Sequence, residues 1–578
     1  MKLNCSQVVA KMLKNHGVHY VAGIMDQQLH ELVKSLSGAD VPFIQVMQEQ
    51  SAVLVADGYF RACGRPMAVF LPTTSGVSKA LGSIATAYTD SSAILIFSGG
   101  YLSPPLQQSG NAHSGWYATV THHGVSKAQL SVSNPDEIWE TMKHAMTLML
   151  QGRPGPVIID IPHTVQISEI TSKSETIQIN RAKNPSSPKN EAIEQAVLLL
   201  QKARRPLIIV GGGMNVSNAT DALVTFAEKL SIPVVNTMNG KGAFPEDHVL
   251  CGGPIGRNGS TCGNHFLSTA DVVLSIGSRL ENSLHFTPKP LAQVQLIQID
   301  IDRQEIGRDR QVDIGIVADA KSALSAMNRV VSTLYCDVIS LERKAYRKEV
   351  LTMRKAWVNH LAECYQIDTS PFTVQRSLAE LRRITEQDAI VIVGPGYIQK
   401  AVYQLFPVYL PRTHITSRKF APKGWAIPAA IGAKLAMPAR QVICLISESD
   451  FMQSMQELAV CVMHTIPVVF LVFSHSHSEK NKNTNIGEET FNEQLTMPDG
   501  KPYAPDYTDI ARSFGLDAWR VEHASQLNKI LTKAVNFPGP SLVEIVTALD
   551  GENASIEHNN SFPASAYLSN ESELTFDD

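Results

Sequence analysis

Residues 43–66 read FIQVMQEQSAVLVADGYFRACGRP, and this segment decides the fold. A short apolar run leads directly into a stretch whose Ala and Val residues have helical spacing, which predicts a strand followed by a helix. A single acid, Glu49, lies at the junction, between Met47 and the helix face that begins at Ala52. Two interpretations fit Glu49. It is a half-buried carboxylate that shares a proton with a partner, or a helix-start glutamate stabilised by the macrodipole.

The same alternation of apolar run and amphipathic stretch continues along the chain. Runs such as PMAVFL, PVIIDIP, PLIIVGGG, QVICLIS and IPVVFLVF are short, rich in Val and Ile, and apolar at nearly every position. Strands of parallel sheets are buried on both faces and read in this way. The pattern therefore predicts an α/β fold built from three doubly wound parallel-sheet domains.

Polar stretches divide the 578 residues into these domains. Residues 166–190 are rich in Ser and Lys and read as a linker, whereas residues 336–370 are charged and helical and lack strand runs. We predict an N-terminal domain at 1–165, the linker at 166–190, a central domain at 191–335, a connector at 336–370, a C-terminal domain at 371–550 and a polar, acidic tail at 551–578.

Composition excludes several classes of protein. The formal net charge is −4, so no basic excess indicates a nucleic-acid partner. No apolar stretch approaches the roughly 18 residues that a membrane-spanning helix needs, and the N-terminus lacks the apolar segment of a secretory signal. The 8 cysteines include no CxxC pair, which favours a reduced, cytoplasmic protein.

Residues 43–66 resemble the N-terminal domain of thiamine-diphosphate-dependent enzymes of the acetolactate synthase and pyruvate oxidase type. The resemblance continues in family order through SIATAYTDSSAILIFSGG, RPGPVIIDIP, IPVVNTMNGKGAFPEDH, ADVVLSIGSRLENS, GWAIPAAIGAKLAMPARQVICLIS and DYTDIARSFGLDAWRV. It covers about residues 5–550. The resemblance implies a pyrimidine-binding N-terminal domain, a Rossmann-like central domain and a diphosphate-binding C-terminal domain.

The resemblance also implies a reaction. Glu49 matches the family glutamate that hydrogen-bonds N1′ of the aminopyrimidine, and the cofactor then serves as the electron sink for decarboxylation. The expected activity is that of a C–C lyase or carboligase acting on pyruvate or a related small 2-oxo acid. Family active sites lie between subunits, which implies a homodimer or homotetramer. His113 lies in the stretch that lines the substrate side in relatives and is a candidate acid or base. A surface or packing histidine is the other interpretation.

The metal motif of the family is altered in this chain. Relatives hold the diphosphate through a divalent ion bound by a Gly-Asp-Gly turn and a later Asn. Here the turn reads Ser447-Glu448-Ser449, and the Asn position falls on His475. His477 lies on the same face of an extended chain as His475, so Glu448 and the two histidines are candidate ligands. Imidazole nitrogen favours a transition metal over Mg²⁺. The alternative is a solvated loop without metal.

Other segments near the expected cofactor differ from the family as well. Lys423 occupies the place of the bulky apolar residue that supports the cofactor in relatives, and the preceding Gly-rich segment begins here at Ser417. The loop that carries Gly-Pro-Gly in the family reads TTSGVSK at residues 73–79, whereas Gln399 of the first C-terminal loop is kept.

Two accounts of these differences remain open. In the first, Arg418, Lys419 or Lys423 supplies positive charge that the altered metal site lacks, and thiamine diphosphate still binds. In the second, the pocket no longer holds thiamine diphosphate. The chain would then be a repurposed family member, either a flavin- or nucleotide-binding enzyme of specialised metabolism or a non-catalytic regulatory subunit.

The central domain raises the question of a nucleotide. Gly211 and Gly212 follow a strand and precede a helix, which is a weak signal for phosphate binding. Arg279 and Asp300 match the positions that the acetolactate synthase branch places near FAD. The pattern permits FAD without requiring it.

Overall fold

The structure is a computed structural model that describes residues 3–72, 76–99, 124–171, 188–280, 294–333, 343–366, 372–474, 497–498 and 503–547. It contains three six-stranded sheets. Neighbouring strands pair in parallel, and helices connect them. The predicted α/β class with three doubly wound parallel sheets is confirmed.

The first sheet and its helices form the N-terminal part of the chain. Its strands are β1 (Val21–Gly23), β2 (Phe43–Gln45), β3 (Met67–Leu71), β4 (Ile94–Ser98), β5 (Ala128–Ser131) and β6 (Val157–Asp160). Its helices are α1 (Cys5–Asn15), α2 (His30–Gly38), α3 (Glu49–Cys63), α4 (Gly76–Thr89), α5 (Ile138–Leu150) and α6 (His163–Ile167). The strand order is β2-β1-β3-β4-β6-β5, and every residue of the central strands β3 and β4 is buried.

The second sheet lies in the central domain. Its strands are β7 (Pro206–Val210), β8 (Val234–Asn236), β9 (Cys251–Pro254), β10 (Val272–Ile276), β11 (Gln295–Asp300) and β12 (Ile314–Val317). Its helices are α7 (Asn190–Lys202), α8 (Gly212–Ser217), α9 (Thr220–Leu230), α10 (Thr261–Thr269) and α11 (Ala320–Val331). The strand order is β12-β11-β10-β7-β8-β9. From β7 the chain adds β8 and β9 on one side of the sheet and β10, β11 and β12 on the other, which opens a crevice at the carboxyl ends of β7 and β10.

A long helix, α12 (Lys344–Tyr365), precedes the third sheet. The strands of that sheet are β13 (Ile390–Val393), β14 (His414–Thr416), β15 (Val442–Ser447), β16 (Val469–Ser474), β17 (Asp517–Val521) and β18 (Ser541–Val546). The helices are α13 (Val374–Ile384), α14 (Tyr397–Leu405), α15 (Ala426–Ala436), α16 (Glu448–Ser454), α17 (Leu458–Met463), α18 (Tyr507–Ser513) and α19 (Ala524–Val535). The strand order is β14-β13-β15-β16-β18-β17. The chain adds β14 on one side of β13 and the later strands on the other, so the strand order reverses between β13 and β15.

The N-terminal and C-terminal domains share one apolar core, in which α3 packs against α15. Their backbones touch at two glycines. A side chain at Gly58 would overlap the carbonyl of Ala429, and one at Gly432 would overlap the carbonyl of Val55. Only glycine permits this approach, because any Cβ would force the helices apart.

A buried polar contact ties the same two helices together. Asp57 of α3 is fully buried and accepts hydrogen bonds from Trp425 Nε1 at 2.8 Å and from the Ser92 hydroxyl. Burial raises the pKa of Asp57, against the opposing effect of nearby Arg61. The indole N–H therefore satisfies an acid that would otherwise be costly to bury.

The structure also bears on membrane association. None of the described helices combines the length and the apolar character that crossing a bilayer requires.

The glycine contact predicts a large stability difference between two conservative substitutions. Gly432→Ala should lower stability by more than about 2 kcal/mol, because its methyl group overlaps the Val55 backbone. Gly38→Ala at the end of α2, where an added Cβ has no neighbour within 4 Å, should be neutral or stabilise by at most about 1 kcal/mol. Thermal unfolding of both variants measures the difference, and equal melting temperatures would contradict the packing.

Candidate active site

The carboxyl ends of β13, β14 and β15 lie next to one another at the reversal of strand order in the third sheet. The turn after β13 contains Gly394 and Gly396, the segment after β14 begins with Ser417, and the turn after β15 is Ser447-Glu448-Ser449. Open α/β sheets bind ligands at such a point, outside the carboxyl ends of the strands. The predicted diphosphate-binding residues therefore share one edge of the sheet.

The first two of these segments form a backbone cradle. Gly396 has a φ of +124°, and an added Cβ there would meet no heavy atom within 4 Å, so its backbone faces open space. Gln399 fixes the neighbouring segment by donating to Thr416 Oγ1 at 2.6 Å and to the Ser417 carbonyl at 2.7 Å. The buried Ser417 hydroxyl has no hydrogen-bond partner within the described residues. An open turn beside an unpaired hydroxyl fits the oxygens of a phosphate group.

The two acids at the start of α16, Glu448 and Asp450, have separate partners. Tyr507 is buried, which raises its pKa, and the carboxylate of Glu448 hydrogen-bonds its hydroxyl and raises the pKa further. One oxygen of Asp450 accepts a hydrogen bond from the Gly424 amide at 2.5 Å, and the other has no partner among the described residues. Burial raises the pKa of Asp450 to about 7. Lys423 is exposed beside it, where its charge lowers the pKa of Asp450. Glu448 is thus held by Tyr507.

The predicted metal site is incomplete in what the structure describes. His475 and His477 lie outside the described residues, as does His113. Within the described part of the chain, no group of three His, Cys, Asp or Glu side chains lies close enough to hold an ion. The Ser447 and Ser449 hydroxyls lie 3.3 Å apart.

Glu49 is the first residue of α3, where the prediction from sequence placed it. It is 8% exposed, which is more buried than the half-buried carboxylate that we predicted. Its Oε1 lies 3.1 Å from Nζ of Lys79, which belongs to the first turn of α4. The carboxylate is therefore held at a helix N-terminus by a cation from the next helix.

An acid from the C-terminal domain caps the helix that carries Glu49. The N-cap residue of α3, Gln48, makes no side-chain capping bond, and Glu457 accepts instead from the Met47 amide at 3.1 Å. The Gln48 amide and the Ser51 hydroxyl also bond the Glu457 carboxylate. Burial raises the pKa of Glu457 to about 7, and these hydrogen bonds oppose the rise. The start of α3 thus depends on a residue 410 positions away.

A cavity of about 550 Å³ lies where the three domains meet. Gly211 and Gly212 follow β7, Arg279 follows β10 and Asp300 ends β11, and the structure brings all four to this cavity. The N-terminal and C-terminal domains complete its wall. Their lining residues include Arg61, Asp90, Arg153, Arg412, His414, Arg418 and Lys419.

Several polar groups of the cavity wall have no partner within the described residues. His414 is 4% exposed, and both of its ring nitrogens are unpaired. Burial lowers its pKa well below the usual value. Asn215 and Asn239 each leave a buried side-chain oxygen unpaired. Burial raises the pKa of Asp300 to about 6. Unmet donors and acceptors around one cavity are what a polar ligand would satisfy.

Arg279 is already engaged at the cavity edge. It donates to the Thr89 carbonyl at 3.0 Å and pairs with Glu305 at 3.1 Å. Arg279 lines the cavity, and the sequence gave no indication of these contacts.

The prediction from sequence missed several residues of these sites, among them Lys79 as the partner of Glu49, Glu457, Asp450 and His414. Glu457 and Asp450 each had a readable signal, because each lies in the sequence next to apolar residues that are themselves buried. The contact between Lys79 and Glu49 had none, since the residues are 30 positions apart on different helices.

Comparison with known proteins assigns the chain to a family. Three family models match: "Thiamine pyrophosphate enzyme, N-terminal TPP binding domain" at residues 3–116, the corresponding central domain at 193–327 and the "C-terminal TPP binding domain" at 394–545. A Methanococcus aeolicus protein described as a probable acetolactate synthase large subunit is 30% identical over 571 residues, covering 96% of this chain and 93% of its own length. A Methanocaldococcus jannaschii protein of the same description is 29% identical and covers 94% and 91%.

A solved structure from Mycobacterium smegmatis superimposes with a TM-score of 0.77 at 21% identity, covering 95% of this chain and 100% of that one, which supports the fold. The chain belongs to the thiamine pyrophosphate enzyme family, in its acetolactate synthase-like branch. The resemblance that the sequence motifs carried is confirmed.

The burial of the Glu457 carboxyl group predicts a pH dependence. The folded protein keeps Glu457 protonated up to about pH 7, whereas the unfolded chain loses this proton near the ordinary carboxyl pKa. The difference stabilises the folded protein fully below the ordinary carboxyl pKa, and this stabilisation is lost as the pH rises through 7. Glu457→Gln keeps an acceptor and has no proton to lose. Between pH 5 and 8, wild-type stability should therefore fall relative to the variant by up to about 3 kcal/mol.

Melting temperatures of both proteins across this range measure the difference. Glu522→Gln, at an exposed acid, is the matched control and should follow the wild type. A constant gap between wild type and Glu457→Gln at every pH would contradict the assignment.

Proposed function

We propose that this protein is a thiamine-diphosphate-dependent carboligase, which decarboxylates pyruvate or a related small 2-oxo acid and joins the remaining fragment to an acceptor. The relatives described as acetolactate synthase large subunits support this activity. The observation that carries the proposal is the buried Glu49 at the start of α3, in a domain of the matching type. A second domain of the family's cofactor-binding type lies in the same chain.

The described residues fit the cofactor in its diphosphate part. The Gly396 turn, the unpaired Ser417 hydroxyl and the Ser447 and Ser449 hydroxyls would receive the diphosphate, and Gln399 would hold the Ser417 segment in place. When bound, the cofactor supplies the electron sink that decarboxylation of a 2-oxo acid requires. We also propose that Lys423 lies beside it, which adds positive charge near the phosphates.

Glu49 performs the protein's part of the activation. Its carboxyl group would hold a proton at the pyrimidine nitrogen N1′. Its burial keeps water from that position, so the hydrogen bond is stronger than in solution. The Glu457 cap orients the first turn of α3 and with it the Glu49 side chain. His113 is proposed as an acid or base on the substrate side.

The diphosphate would be joined to the protein by a divalent ion. We propose Glu448, His475 and His477 as its ligands. The nitrogen donors favour Zn²⁺, Mn²⁺ or Fe²⁺ over Mg²⁺. Binding of the ion would require Glu448 to exchange its hydrogen bond with Tyr507 for the metal.

The assembly and location are proposed on the same basis. Because the family's active site lies between subunits, the protein would act as a homodimer or homotetramer, in the cytoplasm, on a small-molecule substrate. The domain boundaries at 165, 190, 335, 370 and 550 are proposed as we predicted them from the sequence.

The cavity between the domains is proposed to hold FAD. Its volume of about 550 Å³ is in the usual range for a ligand site. Gly211 and Gly212 allow close approach of a phosphate, Arg279 supplies positive charge, and the Asp300 carboxylate would accept from ribose hydroxyls. The unpaired ring nitrogens of His414 and the unpaired side-chain oxygens of Asn215 and Asn239 support a polar ligand there.

One observation favours a second candidate function. Glu448 lies in the turn expected to face a diphosphate and Asp450 follows directly after it, and two ionised carboxylates there would repel the diphosphate unless they are protonated or metal-bound. A family member without thiamine chemistry, which uses the nucleotide cavity alone, would tolerate both acids. The cofactor content of gently purified protein separates the two functions.

Glu49→Gln tests the proposed role directly. The amide keeps the size of the side chain but cannot hold the exchanging proton, so carboligation should fall by at least about 100-fold while bound thiamine diphosphate is retained. Glu191→Gln is the matched control, because Glu191 also lies in the first turn of a helix and is exposed. Unchanged turnover in Glu49→Gln would refute the assignment and leave the helix-start interpretation.

The proposed flavin site predicts about one FAD per chain in the purified protein. Asp300→Asn should reduce this content, because it removes the carboxylate proposed to accept from ribose, whereas Asp221→Asn on the exposed surface of α9 should not. Fluorescence of flavin released by heat measures the content. A protein saturated with thiamine diphosphate but free of flavin would remove FAD from the proposal.

A further inference from the structure

Lys79 reaches over the carboxylate that the proposed function assigns to activation. Its Nζ lies 3.1 Å from Glu49 Oε1, and the side chains are 61% and 10% exposed, respectively. The ammonium group therefore approaches a buried acid from the solvent side. The pair joins the first turn of α4 to the first residue of α3.

The negative charge of Glu49 is also stabilised without Lys79. The residue stands at the N-terminus of α3, a helix of 15 residues whose macrodipole favours an acid at this end. Glu457 satisfies the neighbouring amides of Met47 and Gln48, so the local backbone is held independently. Loss of Lys79 would therefore leave a carboxylate that the helix N-terminus still stabilises.

We propose that Lys79 acts through Glu49: it competes with the thiamine cofactor for the Glu49 carboxylate. In the resting protein it occupies one carboxylate oxygen, and it gives up this contact when the aminopyrimidine binds. This inference rests on the proposed function, because it requires Glu49 to be a cofactor contact.

Two physical effects make the contact competitive. A carboxylate oxygen that already accepts from an ammonium group is less able to share a proton with a pyrimidine nitrogen. The thiazolium ring, unlike the diphosphate, carries positive charge, so a lysine held at Glu49, on the ring side of the cofactor, opposes the binding of that part. Since Lys79 is more than half exposed, water screens both effects, and the expected change in affinity is about 1.5- to 5-fold.

Calorimetric titration with thiamine diphosphate tests the inference without a turnover assay. Wild type, Lys79→Met and Lys79→Arg are titrated in parallel series with saturating Mg²⁺ and Mn²⁺. Lys79→Met should lower Kd by about 1.5- to 5-fold, and Lys79→Arg should restore a value near wild type because it keeps the charge. Lys34→Met removes a comparably exposed lysine from α2 and should leave Kd unchanged.

Two further measurements separate competition from a general structural effect. In a Glu49→Gln background, Lys79→Met should no longer change Kd, because the carboxylate for which it competes is gone. Raising the salt concentration should narrow the gap between wild type and Lys79→Met, because ions screen the partly exposed pair.

The outcomes distinguish this inference from the proposed function. If neither the wild type nor any variant takes up thiamine diphosphate with either ion, the inference and the proposed function both fail. If the wild type binds and Lys79→Met binds equally well or more weakly, the competition is refuted while the function stands. An equal effect of Lys79→Met in the Glu49→Gln background would refute it as well.

Discussion

The backbone contact between α3 and α15 is the constraint on which the rest of the site depends. Gly58 and Gly432 let the two helices touch, and the buried bond between Asp57 and Trp425 fixes their relative rotation. Because α3 begins with Glu49, this packing also fixes the position of Glu49 relative to the third domain of the same chain. The same element thus serves as core and as the support of the proposed active site.

Burial explains which parts of the fold were predictable from the sequence. Central strands such as β3, β4 and β15 are covered on both faces and read as continuous apolar runs. The strands that the apolar runs did not indicate, β5, β9, β12, β14 and β17, all lie at the edges of the sheets. An edge strand such as β5 has partly exposed positions, so its composition does not separate it from a loop.

Topology explains which site residues could be placed and which could not. Gly211, Arg279 and Asp300 meet in one cavity because the carboxyl ends of neighbouring parallel strands share an edge, which strand order alone makes predictable. The contacts of Glu49 with Lys79 and of α3 with Glu457 join helices or domains, and no local pattern encodes them. Sequence spacing likewise gave no sign that Glu448 would bond Tyr507.

The central claim is that Glu49 in the first domain of one subunit and the serine turn in the third domain of another subunit act on the same thiamine molecule. A structure of the protein with thiamine diphosphate and a divalent ion tests it most directly. The account predicts the pyrimidine nitrogen within about 2.6–3.2 Å of a Glu49 oxygen, and the diphosphate against the turn at Ser447–Ser449. A bound cofactor that lies away from Glu49, or a site that stays empty at saturating cofactor, would contradict it.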